Sequence, residues 1–188
     1  MNSKIKQMTF IALMAAIISV IAPISLPIVG EVPISLATFG VMLAGAVLGS
    51  KNGTIATAIY LLLGAIGVPV FAGYTSGVGI LVGVTGGYLI GYLPLAYCSG
   101  LSFTNNKNLS ARTLEKVIGM ILGTVILYII GTAWFMYVTK MNLVGALMAC
   151  VIPFIPGDVI KIVLVAILAP QLERVSSLQR IAVAERSA

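Results

Sequence analysis

The chain contains no histidine, only two cysteines and only five acidic residues among 188. Without histidine there is no imidazole proton relay and no Cys–His nucleophile, and two thiols alone do not complete a structural zinc site. Metal and cofactor chemistry are therefore not expected. Cys98 and Cys150 read as plain core residues. The pattern G-x-x-x-x-G-K-[ST] is missing too, which excludes nucleotide hydrolysis by the usual phosphate loop. Charge is scarce: 9% of residues are charged, against about one quarter in a soluble domain. In its place stand 60% hydrophobic residues and a mean hydropathy of +1.13. The bases behind the net charge of +6 are scattered, with no dense patch interleaved with aromatics, so no nucleic-acid partner is implied. These features describe an integral membrane protein. No linker, low-complexity tract or polar block divides it, and a single domain, 1–188, is expected.

A spanning helix needs about 20 mainly apolar residues with its backbone polar groups satisfied internally. Segments 8–25, 34–49, 54–68, 78–97, 117–138 and 144–169 qualify, giving an all-α protein of six transmembrane helices. The N-terminal segment has the basic start of a signal peptide. Its apolar run is long, ends in prolines and is followed by further spans, so it is read as the first helix. Between the second and third spans, Lys51, Asn52 and Gly53 predict a turn exposed to water. Orientation follows from lysine and arginine, which concentrate in short cytoplasmic loops. With both termini cytoplasmic, Lys4, Lys6, Lys51, Lys107, Arg112, Lys116, Arg174, Arg180 and Arg186 lie inside and only Lys140 outside.

The outer connections are rich in proline and glycine. "PISLPIVGEVPIS", with Pro23, Pro27 and Pro33 around Glu31, cannot be helical throughout, and "GVPVFAGYTSGVG" carries Phe71 and Tyr74 among glycines. Ordinary turns and ordered caps over the outer face are both open readings. Small residues mark helix contacts, because lipid supplies little hydrophobic drive between helices. Gly79, Gly83, Gly87 and Gly91 form a stripe along the fourth span, while Gly119 and Gly123 in the fifth and Gly45 and Gly49 in the second offer similar faces. Ala12 and Ala16 make a small-residue strip on the first span, suited to internal packing or to a partner protein.

Within the sixth span lies "PFIPGDVIK", Pro153 to Lys161. Pro153 and Pro156 predict a kink or break, with a helix restarting at Pro156 and Asp158 in its positive first turn. Lys161 falls three residues on, on the same face. An ionisable side chain at that depth costs about 2.5–3.5 kcal/mol and generally faces a cavity with a task. A lock between helices is the alternative. A carboxylate accepts two parallel N–H donors and a lysine donates beside it, a pattern suited to a cyclic urea or another small polar heterocycle whose binding completes the pair's hydrogen bonding. Tyr88 and Tyr92 either wall such a pocket or simply pack.

Three segments, "GAIGVPVFAG" (Gly64 to Gly73), "GVTGGYLIGY" (Gly83 to Tyr92) and "PFIPGDVIK", closely resemble the BioY family of substrate-binding (S) subunits of energy-coupling-factor (ECF) transporters for biotin. The resemblance spans nearly the whole chain. It implies a six-helix membrane subunit that captures biotin from the outer side, performs no chemistry on it, and works with a transmembrane coupling protein and two ABC-type ATPases in the cell membrane. It places Asp158 and Lys161 on the ureido ring and adds Tyr88, Gly86, Phe71, Gly73 and Ser35 as substrate contacts, with Ala12 and Ala16 docking onto the coupling protein. The family's first loop usually reads P-I-T-L-Q where this chain has Pro33, Ile34, Ser35, Leu36 and Ala37. The hydroxyl is kept and the amide is lost. Two other classes remain as alternatives. A proton-coupled secondary transporter would need inverted repeats or a second intramembrane acid. An intramembrane enzyme would need a nucleophile with a base, or paired acids.

Overall fold

Long apolar stretches with few backbone breakers become helices, and glycine and proline decide where they stop. The computed structural model describes residues 3–26, 33–102 and 109–173. Its helices are α1 (Ser3–Ile21), α2 (Ala37–Leu48), α3 (Ser50–Ala65), α4 (Val78–Val82), α5 (Gly86–Ser99), α6 (Leu109–Thr139), α7 (Leu143–Cys150) and α8 (Ile155–Glu173). A short antiparallel ribbon pairs β1 (Ser25–Leu26) with β2 (Ile34–Ser35), setting Ser25 opposite Ser35. Apart from this ribbon, an isolated bridge between Phe71 and Thr75 and the connecting turns, the described chain is helical. Pro27 and Glu31 of the first loop, and the bases Lys107, Arg174, Arg180 and Arg186, lie outside the described residues.

Among the described residues, α1, α6 and α8 each contain a stretch long and apolar enough to cross a membrane. Helices α2 and α3 have 12 and 16 residues. The expected fourth span is broken: α4 ends at Val82, and Gly83–Thr85 form a turn before α5 begins. At the break the carbonyl of Gly83 accepts both from the Gly86 N–H at 3.0 Å and from the Trp134 indole at 2.9 Å. The sixth span breaks where its prolines predict, between Cys150 and Ile155. Helix α8 begins one residue before Pro156, and that proline still sits in the first turn, where a missing N–H is tolerated.

The predicted exposed turn at Lys51, Asn52 and Gly53 does not occur. Gly49 alone joins α2 to α3, at φ +85°, a left-handed conformation in which glycine carries no Cβ penalty. Residues 51–53 form the first turn of α3, and only Lys51 is exposed. Asn52 is buried and accepts from the Gln7 side-chain amide at 2.7 Å, which ties α3 to α1.

The glycine stripe divides into two parts. A Cβ on Gly87 would overlap Trp134 and lie 3.0 Å from the Ile130 carbonyl oxygen, and one on Gly91 would lie 2.7 Å from Leu127. Around Gly79 nothing stands within 4 Å. On α6, Gly119 and Gly123 meet Cys98 and Leu95 of α5, so small residues of both helices set their approach. Gly45 packs on Ala96 of α5. Of the two cysteines, Cys150 is buried, Cys98 is half-buried, and both are free thiols. On α1, Met14, Ala15 and Ile18 enter the core while Ala12 and Ala16 are exposed. Gly87→Leu is expected to lose about 1–3 kcal/mol through overpacking, whereas Gly79→Leu leaves stability unchanged; thermal unfolding of the purified variants in detergent measures the contrast.

Candidate binding site

Asp158 and Lys161 meet at the end of the bundle where the break before α8 and the β1–β2 ribbon come together. The Asp158 backbone N–H donates to the carbonyl of Phe154, opening α8, and its side chain lies in the first turn. Lys161 follows on the same face and donates to Asp158 Oδ1 at 3.0 Å. Exposure of only 4% for Asp158 and 6% for Lys161 makes this a buried pair.

Each group is well coordinated. Lys161 Nζ also donates to the Ser35 carbonyl oxygen at 2.9 Å and to Thr38 Oγ1 at 2.8 Å, using all three of its donors. Asp158 Oδ1 accepts from Thr38 Oγ1 at 3.2 Å, and Oδ2 accepts from the Tyr128 hydroxyl at 2.6 Å. The expectation that a ligand completes the pair's hydrogen bonding is thus corrected for lysine: a ligand must displace one of its partners. The carboxylate differs. Each of its oxygens accepts about two hydrogen bonds, so Oδ2 retains capacity beyond Tyr128. Asp158 is the member of the pair with an acceptor site left over, and Lys161 holds its carboxylate in place.

Two adjoining cavities surround this end of the bundle. The smaller, of about 40 Å³, contains Asp158, Lys161, Thr38, Tyr128 and Phe154 in its wall. The larger, of about 250 Å³, is formed by Ala37, Tyr60, Phe71, Ile80, Val84 and Leu89 among others. Pro33, Ser35, Tyr88 and Tyr92 line both. The outcome is one polar recess continuous with a mostly apolar chamber, a common design for small-molecule sites. A further cavity, of about 190 Å³, lies at the other end of the helices beside Lys116 and Glu173. There Glu173 is ion-paired with Lys116 and Arg112, joining α6 to α8 away from the tyrosines.

The predicted residues separate into groups. Ser35, Tyr88, Asp158 and Lys161 come together as expected. Ser35 contributes through its carbonyl; its hydroxyl accepts from the Ala37 N–H at 3.0 Å and caps α2. The Tyr88 ring packs over Gly131, and its hydroxyl meets Thr132 Oγ1 at 3.2 Å and the Cys150 carbonyl oxygen at 3.4 Å. Phe71 is buried in the wall of the larger chamber. Gly86 lines neither cavity. It opens α5 against Leu81, where its lack of a Cβ permits the break. Gly73 is exposed at φ +66°, and its N–H donates to the Pro23 carbonyl at 3.0 Å, joining the segment after α3 to the segment after α1. Lys140 stands 4.6 Å over the Tyr137 ring.

Sequence reasoning missed Thr38, Tyr128 and Tyr60. A signal for Tyr128 existed, since Thr124, Tyr128 and Thr132 form a polar line at four-residue spacing within the mainly apolar segment 117–138.

Comparison with known proteins agrees with this geometry. The BioY family model matches residues 1–177. The chain belongs to the BioY family. Similar BioY relatives include the biotin transporter BioY2 of Lactococcus lactis, 38% identical over 94% of this chain and 94% of the relative. The biotin transporter BioY of Rhodobacter capsulatus is 38% identical, covering 87% and 91%. Among solved structures, the S-component for biotin from an ECF-type ABC transporter superposes with a TM-score of 0.81 at 31% identity, over 92% of this chain and 93% of that one. Its S-component fold is shared by this BioY protein.

Removing one member of a buried ion pair leaves an uncompensated charge, at a cost of about 3–5 kcal/mol. Lys161→Met alone is therefore expected to be strongly destabilised, while Asp158→Asn combined with Lys161→Met recovers most of the loss. Thermal unfolding without ligand compares the two.

Proposed function

We propose that this BioY protein is the biotin-capturing S subunit of an ECF-type transporter in the cell membrane. The observation that carries this reading is the buried Asp158, with acceptor capacity left on Oδ2, at the polar end of a largely apolar chamber. A cyclic urea presents N–H donors to such a carboxylate, and the thiophane ring and aliphatic tail suit the apolar walls. Lys161 keeps the carboxylate oriented, Tyr88 and Phe71 shape the walls, and Ser35 anchors Lys161 through its carbonyl. Gly86 and Gly73 act through the backbone of the α5 start and the outer loops.

The reading includes six membrane passes, with α4 and α5 forming one broken pass and α7 and α8 another. Both termini are cytoplasmic, residues 1–188 form one domain, and the site opens outward. The partners are a transmembrane coupling protein and two ABC-type ATPases, since capture itself involves no chemistry on the vitamin and needs no cofactor. The exposed Ala12 and Ala16 face of α1 suits close docking of the coupling protein.

Equilibrium titration of the purified chain with biotin tests the proposal. Tight binding is expected, with a loss of at least about tenfold in the combined Asp158→Asn and Lys161→Met variant, from removing a hydrogen bond to a charged acceptor. Unchanged affinity in a folded double variant would remove Asp158 from the site. Ala12→Trp is expected to bind biotin normally and to fail to co-purify with the coupling protein.

A further inference from the structure

Tyr60 of α3 is fully buried, lines the larger chamber, and stands edge-on to Phe71 with ring centroids 5.8 Å apart. Its hydroxyl has no hydrogen-bond partner among the described residues. Arg112 Nε is the other buried side-chain polar atom in that condition among those residues, and Arg112 belongs to the ion-pair cluster at the opposite end of the helices. Buried polar atoms are nearly always paired, and leaving one unpaired is costly. A phenylalanine would fill the same volume without that cost.

Several neighbouring polar side chains are already engaged. Thr75 Oγ1 donates to the Ala72 carbonyl at 2.9 Å, Ser35 Oγ accepts from Ala37, and the Tyr88 hydroxyl meets Thr132 and Cys150. Ile80, Val84 and Leu89 in the same wall have no side-chain donor. A ligand oxygen entering beside such walls loses water without replacement unless a donor meets it.

We infer that the Tyr60 hydroxyl donates a hydrogen bond to the bound ligand and is a specificity-determining residue of the chamber. Its acceptor is a ligand oxygen, either the ureido carbonyl or the carboxylate; this rests on the biotin reading above. An analogue lacking that oxygen leaves the phenol unpaired and is discriminated against, as sites built to pair a polar group reject ligands that cannot pair it.

Tyr60→Phe removes the hydroxyl and keeps the ring. Calorimetric titration of wild type and variant with biotin is expected to show affinity reduced about tenfold. A biotin analogue ending in a methyl group identifies the acceptor: a penalty that persists assigns the ureido carbonyl, and one that disappears assigns the carboxylate. Either result supports the inference. Without ligand, Tyr60→Phe should unfold at the same temperature as wild type or higher. Equal biotin affinity in the two proteins would mean that solvent satisfies the hydroxyl, and would overturn the inference while leaving biotin capture intact. A variant that is less stable or does not fold would show a partner for the hydroxyl inside the protein, and would overturn the inference equally. A wild-type chain that does not bind biotin would instead refute the biotin reading, and this assignment with it.

Discussion

The contact on which the rest of this structure depends is the buried ion pair of Asp158 and Lys161. Two charges removed from water are tolerated only with good geometry and further hydrogen bonds. Here those bonds come from other helical passes: Ser35 and Thr38 at the entry to α2, and Tyr128 on α6. The pair therefore joins α2, α6 and α8 at one point. The break before α8 serves the same contact, because it sets Asp158 in the first turn, where the helix dipole favours negative charge.

Around this point, helix spacing decides how much room remains. Gly87 and Gly91 bring α5 against α6, and Gly45 brings α2 against α5. Close approach on those faces leaves Tyr88 and Tyr92 between the two cavities. At this end of the bundle the connecting segments are bonded to one another, through the ribbon of β1 and β2 and the contact from Gly73 to Pro23. Unused hydrogen-bonding capacity is thus unevenly distributed. Lysine is saturated by the protein, whereas the carboxylate and a buried phenol retain hydrogen-bonding capacity.

Much of the site was legible in the sequence because charge in an apolar segment has few explanations. Asp158 and Lys161 stood out by cost alone, and the spacing of three put them on one face. Thr38 was harder to find: it reaches the pair by being near in space and distant in chain, across 120 residues from Asp158. Tyr60 was invisible for another reason. A tyrosine in an apolar helix looks the same whether its hydroxyl is paired or not, and only the surrounding atoms make the distinction. Gly86 and Gly73 were placed on the ligand by resemblance, and the structure gives them backbone roles, at a helix break and at a bond between loops.

Composition alone determined the class of molecule: with so little charge and so much apolar surface, burial in lipid is the physical outcome. Proline positions determined the break before α8, since a ring without an N–H cannot continue a helix freely. Only the tertiary structure decided that the glycine stripe would divide at Gly83, that Asn52 would turn inward to meet Gln7, and which of two opposite charges would keep a hydrogen-bonding site unused. These outcomes depend on distances between segments remote in sequence. Hydrogen bonds and steric overlap act over a few ångströms, and only the folded chain brings those atoms that close.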